Sequence, residues 1–152
     1  MATIKRRALV RVEPERAWGL WTDPSRWPAF VEGFKHVERR SGEWPEERAR
    51  LEWVSTPGGR GRVTERVVES EPPRKVVTQI YEDAMQATQR IGFDPADEPG
   101  ATTVDFVLEY RLTQAGFLRQ LTDVLFIRRA LAAAIDRTLR RFVTEAEEEA
   151  AL

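Results

Sequence analysis

The chain lacks cysteine altogether and has a single histidine, His36. Without cysteine it forms no disulfides, thiolate nucleophiles or cysteine-based metal sites, and one imidazole adds little capacity to bind a metal. The glycine-rich stretch at residues 58–61 lacks the Lys-Ser/Thr of a phosphate-binding loop and indicates a hairpin turn. We therefore expect neither a metal nor a cofactor.

Long apolar runs and a charge excess are also missing. No run approaches the ~20 apolar residues that cross a bilayer. The 24 basic and 25 acidic residues are interspersed and leave a net charge of −1, which gives no footprint for nucleic acid. Residues 1–12 are interrupted by Lys5, Arg6, Arg7 and Arg11, unlike the apolar core of a signal peptide. We expect a cytoplasmic protein without stable membrane insertion and without a nucleic-acid partner.

The composition is that of a globular protein, with 41% hydrophobic and 32% charged residues in a chain of 152. A chain of this length corresponds to one domain, residues 1–152, and buries roughly 70% of its unfolded surface on folding. It can therefore hold a core and still leave room for a pocket.

The most informative stretch is residues 116–147, where one apolar stripe at helical spacing predicts a long C-terminal helix. Arg128 falls on this stripe, where an apolar residue is expected. Either its stem carries the guanidinium out to solvent, or the helix faces a cavity there. The stripe consists of Leu118, Leu121, Leu125, Ala132, Ile135, Leu139 and Phe142.

The remainder of the chain predicts strands, with two short helices after the first. Pro14 and Asp23-Pro24 are helix-start signals, and they predict helices at residues 14–23 and 25–31. Alternation of apolar and polar residues, broken by turn signals about every ten residues, predicts a meander of antiparallel strands. The seven predicted strands are residues 3–12, 34–40, 48–55, 62–69, 75–82, 85–93 and 102–113.

This order of elements, and two local stretches, resemble the START-like (SRPBCC) superfamily. Residues 13–28, EPERAWGLWTDPSRWP, are similar to its opening helix pair, and residues 99–104, PGATTV, resemble its Gly-Thr-rich approach to the last strand. The superfamily includes polyketide cyclases and dehydrases, coenzyme Q-binding proteins and the birch-pollen allergen group. The resemblance implies an α+β helix-grip fold, in which a curved seven-stranded antiparallel sheet surrounds the long helix and leaves an elongated apolar cavity.

The resemblance also directs the choice of candidate ligand-binding residues. We expect the cavity to be lined by aromatic and aliphatic side chains, as small-molecule sites usually are. For each of these residues ordinary core packing is the alternative, since alternation does not decide which face of a strand is buried. The candidates are Trp27, Phe30, Trp53, Tyr81, Met85, Phe106, Leu118, Leu121, Leu125 and Arg128.

No residue stands out as catalytic. His36 lies in a predicted strand beside charged neighbours, and Tyr81 and Tyr110 are typical of rim groups. Glu65 and Arg90 could point inward as a pair, but exposure is the better interpretation. Cyclases of the superfamily carry an arginine in the cavity that no residue here matches, which weakens a cyclase assignment.

The sequence thus favours a non-catalytic protein that binds or transports a small hydrophobic molecule such as a lipid, a quinone or a polyketide-like aromatic. Two alternatives stay open: an enzyme of the cyclase/dehydrase type, and a protein-interaction module like the co-chaperone activators with this fold.

Overall fold

A computed structural model describes residues 1–57, 60–113 and 121–152, with the side chains of 121–124 outside the description. The predicted turn at 58–61 and the first residues of the predicted C-terminal helix, 116–120, lie wholly or partly outside the described residues.

The chain folds into one curved antiparallel sheet, two short helices and a long C-terminal helix, which confirms the predicted α+β class. The strands follow one another as a meander, and the first strand then pairs with the last, giving the sheet order β1-β7-β6-β5-β4-β3-β2. The elements are β1 Ala2–Val10, α1 Pro14–Trp21, a short 3-10 helix Pro24–Ala29, β2 Phe34–Ser41, β3 Arg50–Ser55, β4 Arg62–Glu71, β5 Lys75–Glu82, β6 Met85–Pro95, β7 Thr102–Leu112 and α2 Leu121–Ala150.

Strand alternation decides which side chains face the helix. In β7 every second residue from Thr102 to Tyr110 is buried, and the residues between them are half-buried. The same alternation in β4 buries Val63, Glu65 and Val67. The buried face of β4 and β7 is therefore mostly apolar, and Glu65 is an exception to that pattern.

Proline and aspartate define the short helices. Pro14 occupies the first turn of α1, where its missing N–H costs no hydrogen bond. The Asp23 carboxylate caps the 3-10 helix by accepting hydrogen bonds from the Ser25 backbone N–H at 3.1 Å and hydroxyl at 2.7 Å. Pro28 lies inside this helix and donates no hydrogen bond, so the segment stays short.

The core lies between the sheet, α1 and the second half of α2. Trp21 is its centre, with ring centroids 5.6 Å from Phe30, 6.1 Å from Phe106 and 5.1 Å from Phe142. From residue 125 of α2 onwards, the first buried side chain is that of Ile135, whereas Phe126 is 72% exposed. Only the later turns of the described helix therefore pack against the core.

Candidate functional site

A cavity of about 100 Å³ lies between the concave sheet face and the middle of α2. Most of its wall is aromatic or aliphatic, and polar side chains are confined to a few positions. The lining residues are Trp21, Trp27, Val31, Glu32, Trp53, Arg60, Glu65, Ile80, Met85, Gln89, Phe106, Leu108, Leu131, Ala134, Ile135 and Thr138.

Helical and strand periodicity together build this wall. Leu131, Ala134, Ile135 and Thr138 line the cavity from α2, and their spacing of three, four and seven residues places them on one helix face. Opposite them, side chains of β3 to β7 point to the concave side. The cavity is therefore a direct product of one helix stripe facing one sheet face.

Glu65 is the buried carboxyl of this site, with only 6% of the residue exposed. The indole Nε1 of Trp53 donates a hydrogen bond to Glu65 Oε2 at 3.3 Å. The Arg60 guanidinium stands over the Trp53 ring, 5.3 Å from its centroid, and its Nε donates to Glu82 Oε2 at 2.5 Å. Trp53, Glu65 and Arg60 thus bring an indole, a carboxyl and a guanidinium to the cavity wall, and Glu82 holds that guanidinium.

Burial raises the pKa of the Glu65 carboxyl from its ordinary value of 4.5 to about 7, because removal from water disfavours the charged form. The positive charge of Arg60 and the hydrogen bond from Trp53 lower this pKa, and the negative charge of Glu82 raises it. Both protonation states of Glu65 are therefore accessible near neutral pH.

Glu32 forms a second polar point where the 3-10 helix approaches α2. Its backbone N–H donates to Thr138 Oγ1 at 3.0 Å, Arg137 Nε donates to its carboxylate at 3.0 Å, and Arg141 donates as well. Burial raises the pKa of Glu32, but the hydrogen bonds from Arg137 and Arg141 outweigh this and hold the pKa below its ordinary value. Glu32 is therefore an ionised anchor between elements.

Two further polar side chains, Thr78 and Gln89, lie on the next two strands of the sheet, β5 and β6. Gln89 lines the cavity from β6 and is the direct cross-strand partner of Thr78 on β5. The Thr78 hydroxyl is buried and has no hydrogen-bond partner among the described residues. Glu65, Thr78 and Gln89 thus form a row of polar side chains across β4, β5 and β6, on a sheet face that is otherwise mostly apolar.

Four of the ten predicted ligand-binding residues line the cavity: Trp27, Trp53, Met85 and Phe106. Trp27 also donates a hydrogen bond from Nε1 to the Trp21 carbonyl at 2.7 Å, which fixes the orientation of its ring. That these side chains contact a ligand stays a prediction. Leu118 and the side chain of Leu121 lie outside the described residues.

Four other predicted positions lie away from the cavity wall. Phe30 is buried, but its ring packs on Trp21 and Phe142. The predicted inward position of Tyr81 is wrong. Its side chain points away from the face of β5 that carries Ile80, it is 43% exposed, and its hydroxyl donates to Gln79 Oε1 at 3.2 Å.

The other two predicted residues that lie away from the cavity, Leu125 and Arg128, are in the early turns of α2. Leu125 is 55% exposed, because α2 meets the core only further along. Arg128 is exposed and donates from its guanidinium to the Thr3 carbonyl at 2.9 Å. Of the two alternatives for Arg128, the structure therefore shows the one that faces solvent.

Several lining residues were missed from the sequence. Trp21, Ile135 and Glu65 line the cavity but are not among the ten predicted residues, and the sequence favours exposure for Glu65. Yet Glu65 has the same strand parity as Val63 and Val67, and Gln89 has that of Met85 and Ile91, so alternation already carried the signal. Arg90, its suggested partner, is exposed.

The other candidates for chemistry lie elsewhere. His36 is exposed on β2, and Tyr110 is buried on β7. Within the described ranges, no three or more His, Cys, Asp or Glu residues are grouped so that they could hold a metal ion. Glu65 is therefore the group on which acid–base chemistry in the cavity would depend.

A helix held by a curved antiparallel sheet over an apolar cavity defines the START-like class of proteins. Residues 1–147 match the family described as polyketide cyclase / dehydrase and lipid transport, and the chain belongs to this family. No curated protein matches the sequence.

Solved structures share the fold at low sequence identity. The Zhui aromatase/cyclase from Streptomyces sp. R1128 matches with a TM-score of 0.80 and 12% identity, covering 98% of this chain and 95% of that one. The protein TTHA0849 from Thermus thermophilus gives 0.77 and 20% over 99% and 100%. Truncated norcoclaurine synthase from Thalictrum flavum gives 0.69 and 13% over 93% and 91%. These likenesses confirm the helix-grip fold.

In the part of the chain that the structure describes, no helix is both long and apolar enough to cross a membrane.

Proposed function

We propose that residues 1–152 form a single START-like domain that binds a small hydrophobic molecule in the cavity beneath α2, in the cytoplasm. The observation that carries this proposal is the cavity itself, whose wall is formed largely by Trp21, Trp27, Trp53, Phe106 and aliphatic side chains. Aromatic and aliphatic walls with a few polar groups are typical of small-molecule sites.

The volume of the cavity limits the size of the ligand that it can hold. Its volume of about 100 Å³ is of the same order as the ~150 Å³ cavity that binds benzene in an engineered protein. The space suits one ring or a short chain, so of a lipid, a quinone or a polyketide-like aromatic it would hold a compact, ring-sized part. Hiding about 200 Å² of apolar ligand surface gains about 5 kcal/mol before ordering costs.

Toluene is a suitable first probe because it has one ring and no polar group. We expect it to raise the melting temperature of the wild-type protein in proportion to its occupancy and to shift NMR resonances of residues that line the cavity. Ala134→Phe, which fills the cavity from α2, should abolish both effects. Ala130→Phe, the same change at an exposed position of the same helix, is the matched control and should retain them.

Native mass spectrometry of protein isolated from its source supplies an independent test. A co-purifying small molecule in the wild type that is absent from Ala134→Phe would support the proposal. A wild-type protein that binds neither toluene nor any co-purifying molecule would refute it.

A second candidate function is favoured by Glu65. General acid–base catalysis works best when the pKa of the catalytic group lies near the operating pH, and burial raises the pKa of this carboxyl to about 7. A cavity that holds a ring-sized carbonyl compound beside Glu65 would support proton transfer at the carbon next to the carbonyl. This candidate keeps the cyclase/dehydrase alternative open, with Glu65 as the acid–base group.

A further inference from the structure

Glu65 is buried and forms no salt bridge with any residue that the structure describes. Among the described contacts its carboxylate accepts one hydrogen bond, from Trp53, whereas an ionised carboxylate can accept about four. The nearest cation, Arg60, forms its described side-chain hydrogen bond with Glu82 instead. A buried carboxyl in this state is costly to the fold, so stability alone does not account for a glutamate here.

We propose that Glu65 selects the ligand, by accepting a hydrogen bond from the hydroxyl group of a neutral, one-ring phenolic compound whose ring lies against the aromatic wall of the cavity. This inference rests on the proposed ligand-binding function and specifies its ligand class.

The charges around the carboxyl favour a neutral donor. A cationic amine would meet the Arg60 guanidinium, whose centre stands 5.3 Å from the Trp53 ring that bonds Glu65. An anionic ligand would meet the buried Glu65 carboxyl, which lines the cavity. A hydroxyl carries no net charge and forms a strong O–H···O⁻ hydrogen bond with a carboxylate, so it avoids both penalties.

The rest of the wall fits the ring of such a ligand. Ile80, Met85 and Phe106 line the cavity on β5, β6 and β7, which follow β4 in that order across the sheet, and Ile80 is the direct cross-strand partner of Glu65. A ring placed over Ile80 would therefore have its edge next to the carboxyl, since paired residues on one sheet face lie about 5 Å apart. Trp53 holds the carboxyl from the opposite side, on β3.

Toluene and p-cresol form the discriminating pair of probes, because they differ by one hydroxyl group. An apolar cavity prefers toluene, since burying a hydroxyl without a hydrogen-bond partner costs free energy. We expect wild-type protein at pH 8 to bind p-cresol at least ~10-fold more tightly than toluene by calorimetric titration or NMR titration. Glu65→Leu, of similar volume, should reverse this order and bind toluene more tightly.

Two further variants make the test specific. Glu71→Leu introduces the same change at an exposed position of β4 and should keep the wild-type preference for p-cresol. Glu65→Gln keeps the shape but removes the charge, and we expect the preference to fall at least ~3-fold because the charge-assisted hydrogen bond is lost. If Glu65→Leu does not fold, as judged by its thermal transition, Glu65→Gln carries the comparison.

Equal affinity of the wild-type protein for toluene and p-cresol would overturn this inference while leaving the proposed function intact. A wild-type preference for p-cresol in Glu65→Leu would also overturn it. If Glu65→Leu does not fold, a wild-type preference in Glu65→Gln would do the same. Binding of neither ring would instead refute the proposed function, so the two failures are distinguishable.

Discussion

The Trp53 indole reaches diagonally across the β3–β4 pair to donate its hydrogen bond to Glu65 Oε2, 3.3 Å away. Its direct cross-strand partner is Val63, and a diagonal neighbour on the same face is within reach of a side chain as long as tryptophan. The bond joins a tryptophan ring of the cavity wall to the buried Glu65 carboxyl, so the ligand surface and the titrating group are positioned together.

The raised pKa of Glu65 predicts an unusual dependence of stability on pH. The folded state keeps a proton on Glu65 that the unfolded chain releases, so this group's contribution to stability is complete below pH 4.5 and is lost as the pH rises towards 7. The loss is about 3 kcal/mol, from about 1.4 kcal/mol per pKa unit. Between pH 4.5 and pH 8, the free energy of unfolding of Glu65→Gln should rise by that amount relative to the free energy of unfolding of the wild type, as measured by urea denaturation. If the free energies of unfolding of the two proteins changed with pH in parallel, that result would contradict the raised pKa of Glu65.

Replacing Trp53 with phenylalanine should raise the pKa of Glu65 further, because the lost indole N–H stabilises the ionised carboxylate. Carbon-13 NMR titration of the Glu65 carboxyl measures this shift. The free energy of unfolding at pH 8 should fall by about 1–3 kcal/mol, as for a lost hydrogen bond to a charged group. Trp18→Phe, at a tryptophan that packs edge-on against Phe93, is the control and should leave the Glu65 titration unchanged.

Two phenylalanines on α2 provide a matched test of the core. Phe142 is fully buried between Trp21 and Phe30, and Phe142→Ala should cost about 3–5 kcal/mol in the free energy of unfolding. Phe126 is 72% exposed, and Phe126→Ala should change it by about 0.5 kcal/mol or less. Similar losses in chemical denaturation would show that the early part of α2 also packs against the protein.

The catalytic candidate can be tested with acetophenone in D₂O. If Glu65 acts as a base, it removes a proton from the methyl carbon, the electron pair moves to the carbonyl oxygen, and a deuteron then returns to carbon. Exchange above the buffer rate, followed by proton NMR, should rise as the pH passes through about 7, where Glu65 ionises. Glu65→Gln should reduce it to the buffer rate, and unaltered exchange in that variant would exclude Glu65 as the base.

Local sequence signals predicted the kind and order of the elements, whereas the curved sheet around the helix was implied by the family resemblance. The alternation from Val104 to Tyr110 and the helical spacing of Ile135, Leu139 and Phe142 report burial directly, because each period matches one face of one kind of element. Prolines and aspartates marked the short helices for similarly local reasons.

The site was less predictable because it depends on which face of the sheet meets the helix. On β5 the sequence allows either Ile80 or Tyr81 to face the helix, because consecutive side chains of a strand point to opposite faces of the sheet. On β4 the parity of Val63 and Val67 placed Glu65 inside, but the rarity of buried carboxylates argued against it. What overrides that rarity is tertiary: the indole of Trp53 and the open space beside Glu65.

The pairing of β1 with β7, in which Ala2 lies opposite Tyr110, has a consequence for biosynthesis. β1 is synthesised about a hundred residues before β7, with which it pairs, and such distant contacts slow folding. Until β7 is synthesised, the hydrogen-bonding edge of β1 has no partner, so nascent chains that pause before residue 102 should be the form most dependent on chaperones.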